Sequence, residues 1–288
     1  MKIKTILLTC ASVVALGGVA AAQNTTTASA DGIPVVVAGT PGLPNMDVVD
    51  ISSYNGVLSV SDFQKMRQAG VTGIVIKITE YTTYKNPYAE QQIQNAQAAG
   101  MKVGVYHYSW YTTPAEARAE ADYFANYAAQ LGLPASTLMV DDLEDATTKT
   151  ANVSQNAAAF NDELKADGFY NTGLYTYTSY VNQTGLDMSY IGNDRVWMAQ
   201  FPYEPSSSNL KNTQFAMWQW SSRATFPGVS GEFDVSTDYN ALAGTHASSR
   251  INSDGTSNAV NTTTTANPNA NASQMVNTDL FSQILNSK

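Results

Sequence analysis

Residues 137–145 read Thr-Leu-Met-Val-Asp-Asp-Leu-Glu-Asp, an apolar run that closes in carboxylates. A strand rises about 3.3 Å per residue and alternates its faces, so Asp142 and Glu144 share one face, roughly 6–7 Å apart, at the end of a buried strand. Like charges crowded there raise one pKa and leave the other carboxylate ionised. A proton donor beside an anion is what glycoside cleavage requires. The same residues also read as the acidic first turn of a helix, or as a solvated loop. The surrounding elements must decide between these readings.

Those elements alternate. Strands are expected at 48–52, 73–80, 102–110, 137–143 and 172–180, and helices at 59–70, 86–100, 113–132 and 152–168. Ser59-Val-Ser-Asp62 and Thr113-Pro-Ala-Glu116 are capping-box patterns, the second with proline at the first helical position. Pro87 is placed likewise at the start of its helix, and Asn152-Val-Ser-Gln155 opens the last one. Gly70, Gly100 and Gly168 stand where a left-handed C-cap favours glycine. After residue 180 no long helix is expected, only strands at 195–201, 214–221 and 233–239. Five strands, the first four each followed by a helix, and then further strands argue for a parallel, barrel-like α/β fold. Active sites of such barrels lie at the C-terminal strand ends. Asp50, Glu80, Tyr106, Tyr108, Asp142, Glu144, Tyr175, Tyr177, Trp197, Gln200, Trp218 and Gln219 all fall on or near strand ends, and Asp234 starts the last strand. Carboxylates suit hydroxyls and glycosidic oxygens, and aromatic faces suit sugar rings.

Seven motifs in order carry a resemblance. They are Val49-Asp-Ile-Ser-Ser-Tyr-Asn-Gly56, Ile76-Lys-Ile-Thr-Glu80, Gly104-Val-Tyr-His-Tyr108, Asp142-Leu-Glu144, Trp197-Met-Ala-Gln-Phe201, Trp218-Gln-Trp220 and Gly231-Glu-Phe-Asp234. Over residues 46–240 the chain resembles the catalytic domain of glycoside hydrolase family 25, the muramidases (lysozymes) that cut peptidoglycan. The resemblance implies an irregular TIM-like (β/α)5(β)3 barrel as a single catalytic domain at 46–243. It also implies a retaining β-1,4-N-acetylmuramidase without cofactor or metal, whose partner is the peptidoglycan glycan strand. Glu144 matches the general acid/base. Asp142 matches the group that steadies a charged intermediate, formed with the substrate's N-acetyl group as nucleophile. Asp50 and Asp234 match acids of the cleft floor. Tyr106, Tyr108, Tyr175, Trp197 and Trp218 match its aromatic lining, and Glu80, Tyr177 and Gln200 join the substrate-binding set.

Plainer roles stand beside these. Asp50 either takes part in catalysis or makes a structural hydrogen bond at the barrel end, and Asp234 supports substrate more than chemistry. Glu80 competes with an ion pair to Lys77. His107, between two tyrosines on an alternating strand, is expected to face the helices as a hydrogen-bonded core residue. The aromatics also suit an ordinary strand core. The chain departs from the family pattern twice. Asp141 stands where an apolar residue is usual; facing away from the cleft, it needs a partner. Tyr81 follows Glu80 where glycine is common and would permit positive φ.

Composition narrows the alternatives. The formal net charge is −9, with no basic stripe, so nucleic acid is not an expected partner. The two histidines and one cysteine cannot build a His/Cys metal site or a Cys-His pair, and no Gly-x-Ser-x-Gly elbow or phosphate loop occurs. Residues 1–22 read as a signal peptide, with Lys2 and Lys4 before an apolar stretch and small residues to Ala22; a second cleavage site fits after Ala30. Secretion to the extracellular space or cell wall follows, with no membrane contact after cleavage. Cys10 leaves with the leader, so a packed core rather than disulfides must stabilise the monomer. Residues 23–45 read as a linker, and 244–288 as a low-complexity tail without structure. The acid cluster places the pH optimum on the acid side of neutrality, roughly pH 4–6. A glycan-binding protein that no longer cuts, or another amino-sugar hydrolase such as a chitinase, is the competing function.

Overall fold

The computed structural model describes residues 32–245 together with the short segments Arg250–Ile251 and Ser257–Asn258. The expected signal peptide, residues 23–31 of the expected linker, His246 and the rest of the expected tail lie outside the described residues.

Eight strands close a barrel: β1 (Val48–Ile51), β2 (Gly73–Glu80), β3 (Lys102–Tyr108), β4 (Leu138–Asp142), β5 (Thr172–Tyr177), β6 (Val196–Ala199), β7 (Met217–Thr225) and β8 (Phe233–Asp238). Neighbours from β1 to β7 pair in parallel. The expected barrel-like α/β fold is present, and within it β8 departs from the parallel run, lying antiparallel to both β7 and β1. Residues 226–232 contain no helix, and a direct return without a crossover reverses the strand. The start of β8 therefore lies among the C-terminal ends of the other strands.

Helices α1 (Val60–Gln68), α2 (Ala89–Ala98), α3 (Pro114–Gln130), α4 (Val153–Ala166) and α5 (Thr178–Thr184) follow the first five strands in turn, giving the (β/α)5(β)3 order. Both capping boxes form, at Ser59/Asp62 and Thr113/Glu116, and Pro114 opens α3. Two expected helix starts differ. Asn86 instead makes a turn, its Oδ1 accepting the Tyr88 N–H, so α2 begins after Pro87. Asn152 precedes α4 but makes no side-chain cap bond. The fifth strand also ends earlier than its apolar pattern suggests: residues 178–184 turn into α5, and Tyr180 is buried in that helix. Gly70, Gly100 and Gly168 all have positive φ just past helix ends.

Alternation along the strands separates two cores. Val48, Val75, Leu138, Val140, Trp197 and Met217 fill the barrel interior with Tyr106 and Tyr175. Their strand neighbours, such as Val49, Ile74, Ile76, Val105, Met139 and Leu174, pack outward with Phe63, Phe124 and Phe160 of the helices. The base is closed by residues 242–244. Asp238 accepts the backbone N–H groups of Leu242, Ala243 and Gly244, and a Cβ on Gly73 would lie 2.3 Å from the Ala243 carbonyl oxygen. The other, C-terminal end stays open.

Both flanks carry more regular structure than their composition suggests, and the N-terminal one joins the barrel sheet. Within the expected linker, Val36–Val37 pairs in parallel with Ala224 and Thr225 of β7, and Val36 is buried. Within the expected tail, Arg250–Ile251 pairs antiparallel with Ser257–Asn258.

Candidate active site

Four carboxylates from three parts of the barrel meet at its open end. Asp142 is the last residue of β4, and Glu144 lies two residues on. Asp50 is on β1, and its Cα partner across the sheet is Asp234 of β8. All four line one cavity of about 140 Å³ together with Tyr106, Tyr175, Trp197 and Gln219. The alternation expected of strand β4 holds, because Val140 and Asp142 point inward while Leu143 is fully buried outside.

Asp141 points away from the cavity and is buried, and it finds the partners it requires. Its two oxygens accept from Ser109 Oγ at 2.6 Å and Tyr111 Oη at 2.7 Å. Burial outweighs these bonds and holds its pKa at about 7. His107 also takes the outward place expected of it, Nδ1 on Thr79 Oγ1 and Nε2 on Glu120 Oε2. Burial pushes this imidazole down to about 3 and the Glu120 carboxyl up to about 8. His107 is therefore a neutral core residue, unavailable for a catalytic triad.

The cavity shifts every acid in it upward. Burial, and next the charge of Asp234, raise Glu144 to about 7. Burial raises Asp234 to about 6. Asp50 is raised well above the ordinary range by burial and then by Asp234. Asp142 is raised by burial and by Glu144, against the opposing charge of Lys77. Desolvation penalises each anion and repulsion penalises a second one, so the cluster holds protons together and titrates as a unit. Glu144 and Asp234 are half-buried, whereas Asp50 and Asp142 are buried. This places a protonatable oxygen at the mouth, where a scissile bond can reach it.

The walls orient the floor. Tyr175 Oη donates to Gln219 Oε1 at 2.8 Å, and Gln219 Nε2 donates to Asp50 Oδ2 at 3.0 Å. Trp197 meets Tyr175 edge-on with centroids 4.8 Å apart, and its Nε1 donates to Ser236 Oγ. Asp50 thus has the structural hydrogen bond that was one of its two readings, while still facing the cavity. Gln219 was visible as the centre of Trp218-Gln-Trp220 but had no assigned role. A polar residue between two tryptophans on a period-2 strand is the signal that it faces the opposite side from both.

The remaining expected residues separate. Tyr177 and Gln200 border an adjoining depression that also touches Glu144, and Tyr177 Oη donates to the Glu144 carbonyl oxygen at 3.4 Å. Tyr108 donates to Asp145 Oδ2 at 3.1 Å and lies under Lys77 Nζ. Glu80 takes the ion pair with Lys77 and lies outside the carboxylate cavity. Trp218 requires a correction. It is 0 % exposed, packs in the outer core and donates from Nε1 to the Gln200 carbonyl oxygen at 2.8 Å, so it does not line the cleft. The strand register that turns Gln219 inward must turn Trp218 outward. Trp218→Ala is accordingly expected to cost about 3–5 kcal/mol of stability, the range for a buried tryptophan. Chemical denaturation measures this; unchanged stability with a raised KM would put the ring in the cleft after all.

The family described as Glycosyl hydrolases family 25 matches residues 49–229. The autolytic lysozyme of Clostridium acetobutylicum is 30 % identical over 190 residues, which cover 64 % of this chain and 54 % of that protein. The lysozyme of Streptococcus phage Cp-1 is 27 % identical over 187 residues, 60 % of this chain and 50 % of that protein. The chain thus spans about half the length of these curated relatives. Among solved structures, the bacterial lysozyme from Streptomyces coelicolor aligns with a TM-score of 0.53 at 25 % identity, over 71 % of this chain and 98 % of that one.

Proposed function

The chain belongs to glycosyl hydrolase family 25, and from that premise we propose that it is a secreted muramidase, cutting the β-1,4 bond between N-acetylmuramic acid and N-acetylglucosamine in peptidoglycan with retention. The observation that carries this reading is the cavity in which Asp50, Asp142, Glu144 and Asp234 converge, with Glu144 raised to about 7.

Glu144 is the general acid. Near neutral pH it still holds a proton to give to the leaving glycosidic oxygen, and after that step its carboxylate takes a proton from the attacking water. Asp142, deeper in the cavity, faces the anomeric side. Its anion orients the substrate's N-acetyl group, whose carbonyl oxygen attacks the anomeric carbon, and it balances the positive charge that develops. Asp50 lies beside Asp142 on the cavity floor, and Asp234 raises the proton affinity of Glu144. Gln219 and Tyr175 fix the position of Asp50. Neither cofactor nor metal enters this chemistry.

Digestion of purified peptidoglycan tests the proposal. Mass analysis after borohydride reduction should find reduced muramic acid at the new ends. Reduced glucosamine would instead indicate a glucosaminidase or chitinase type of cleavage, and no new ends would indicate a glycan-binding protein.

The pKa shifts also set the pH dependence. The acid must be protonated, so kcat/KM is expected to fall as pH rises through about 7, where the cluster gives up the proton that Glu144 must carry. It falls again at low pH as the cluster takes up the proton that must be absent from Asp142. The acid limb should lie above the ordinary aspartate range, because burial raises Asp142. Measurement on a short uncharged glycan at high salt removes the contribution of the protein's net negative charge. A flat profile there would mean that surface repulsion, not the carboxylates, sets the optimum.

A further inference from the structure

A second depression, of about 410 Å³, opens at the same end of the barrel, over β2 and β3. Tyr81, Tyr84 and Trp110 form its aromatic walls, with Glu80, Glu116 and Thr147 beside them. It adjoins the carboxylate cavity through Tyr108, whose ring meets Trp110 edge-on at 6.0 Å and whose hydroxyl bonds Asp145, the residue after Glu144.

Two aromatic side chains there remain open to solvent, one tethered by its side chain and the other carried on an unusual backbone. Trp110 is 37 % exposed, yet its Nε1 donates to Glu80 Oε1 at 3.1 Å and its backbone N–H to Glu120 Oε2 at 2.9 Å. Glu80 is itself fastened to Lys77. Tyr81 is 47 % exposed and has φ +48°, a left-handed backbone that disfavours any residue with a Cβ. Glycine would relieve that conformation. A large exposed ring kept on a strained backbone points to a role for the ring itself.

We propose that Tyr81 and Trp110 form an aromatic shelf that binds one N-acetylglucosamine ring of the glycan, away from the bond being cut. This rests on the peptidoglycan reading above and extends its cleft. The lining selects this sugar over the acidic stem peptide. Aromatic faces cover the apolar face of a pyranose ring, and threonine hydroxyls and carboxylates meet its hydroxyl groups. Glu116 is held ionised by hydrogen bonds from Thr112, and an anionic peptide would be repelled there.

The test uses the full chain with Tyr81→Gly and Trp110→Phe. Tyr81→Gly removes the ring while suiting the positive φ, so a folded protein is expected. On long peptide-free glycan, kcat/KM should fall about tenfold, one aromatic contact's worth, and the loss should shrink as the glycan is shortened towards a tetrasaccharide. Trp110→Phe should lose less than Trp110→Ala. An equal loss at every length, or none, overturns the shelf. So does a loss confined to peptide-bearing strands, which would make the stem peptide its occupant. Calorimetry with a β-1,4-linked N-acetylglucosamine hexamer reads the shelf without turnover: weaker binding by Tyr81→Gly supports it, and unchanged affinity overturns it. A wild-type protein that leaves peptidoglycan uncut would instead fail the functional reading, and the hexamer measurement would still decide the shelf.

Discussion

Glu144→Gln is expected to lower kcat by about 10²–10⁴ while substrate binding is largely retained, the range for loss of a general acid. The amide keeps the size and most hydrogen bonds of the carboxyl group but cannot transfer its proton to the glycosidic oxygen. Removing one acid from the cluster also relieves its repulsion, so the variant should be at least as stable as the parent. Turnover on purified peptidoglycan and binding of a glycan fragment measure the two parts separately. Near-parental turnover in a folded Glu144→Gln protein would remove Glu144 from the mechanism.

The paired change on β4 is the second large effect. Asp142→Asn should lower kcat about 10²–10³-fold, because a neutral amide cannot balance the cationic intermediate. Asp141→Asn, one residue earlier, should leave kcat within about threefold. Asp141 faces Ser109 and Tyr111, not the cavity. With its pKa held at about 7, it is already partly protonated near neutral pH, so a neutral side chain is a small change. Its cost should appear in stability, about 1–2 kcal/mol from the disturbed hydrogen bonds. Kinetics and denaturation on both variants separate the roles. A crippled Asp141→Asn beside an active Asp142→Asn would mean that the strand register is shifted by one residue.

Much of this protein was legible in its sequence because the signals were local. Capping boxes at Ser59 and Thr113, glycines after three helices and apolar strand patterns describe their own segments. The pairing of Asp142 with Glu144 and the outward turn of Asp141 and His107 follow from the period of a single strand. Residue chemistry also placed Asp50 and Asp234 at strand ends.

Tertiary structure decided what depends on distant segments. Period-2 alternation says that Trp218 and Gln219 face opposite sides, but only barrel closure says which side is the cleft, and it is Gln219 that turns inward. Asp234 meets Asp50 because β8 runs antiparallel, a direction set by the missing crossover helix rather than by any residue in the strand. The strand pattern around Tyr180 gave way to a helix, where burial of its ring and the Thr148–Tyr180 hydroxyl contact override local preference. The raised acids depend on the same closure. Carboxylates far apart in the chain acquire their proton affinity only when the barrel removes water from around them and places their charges together.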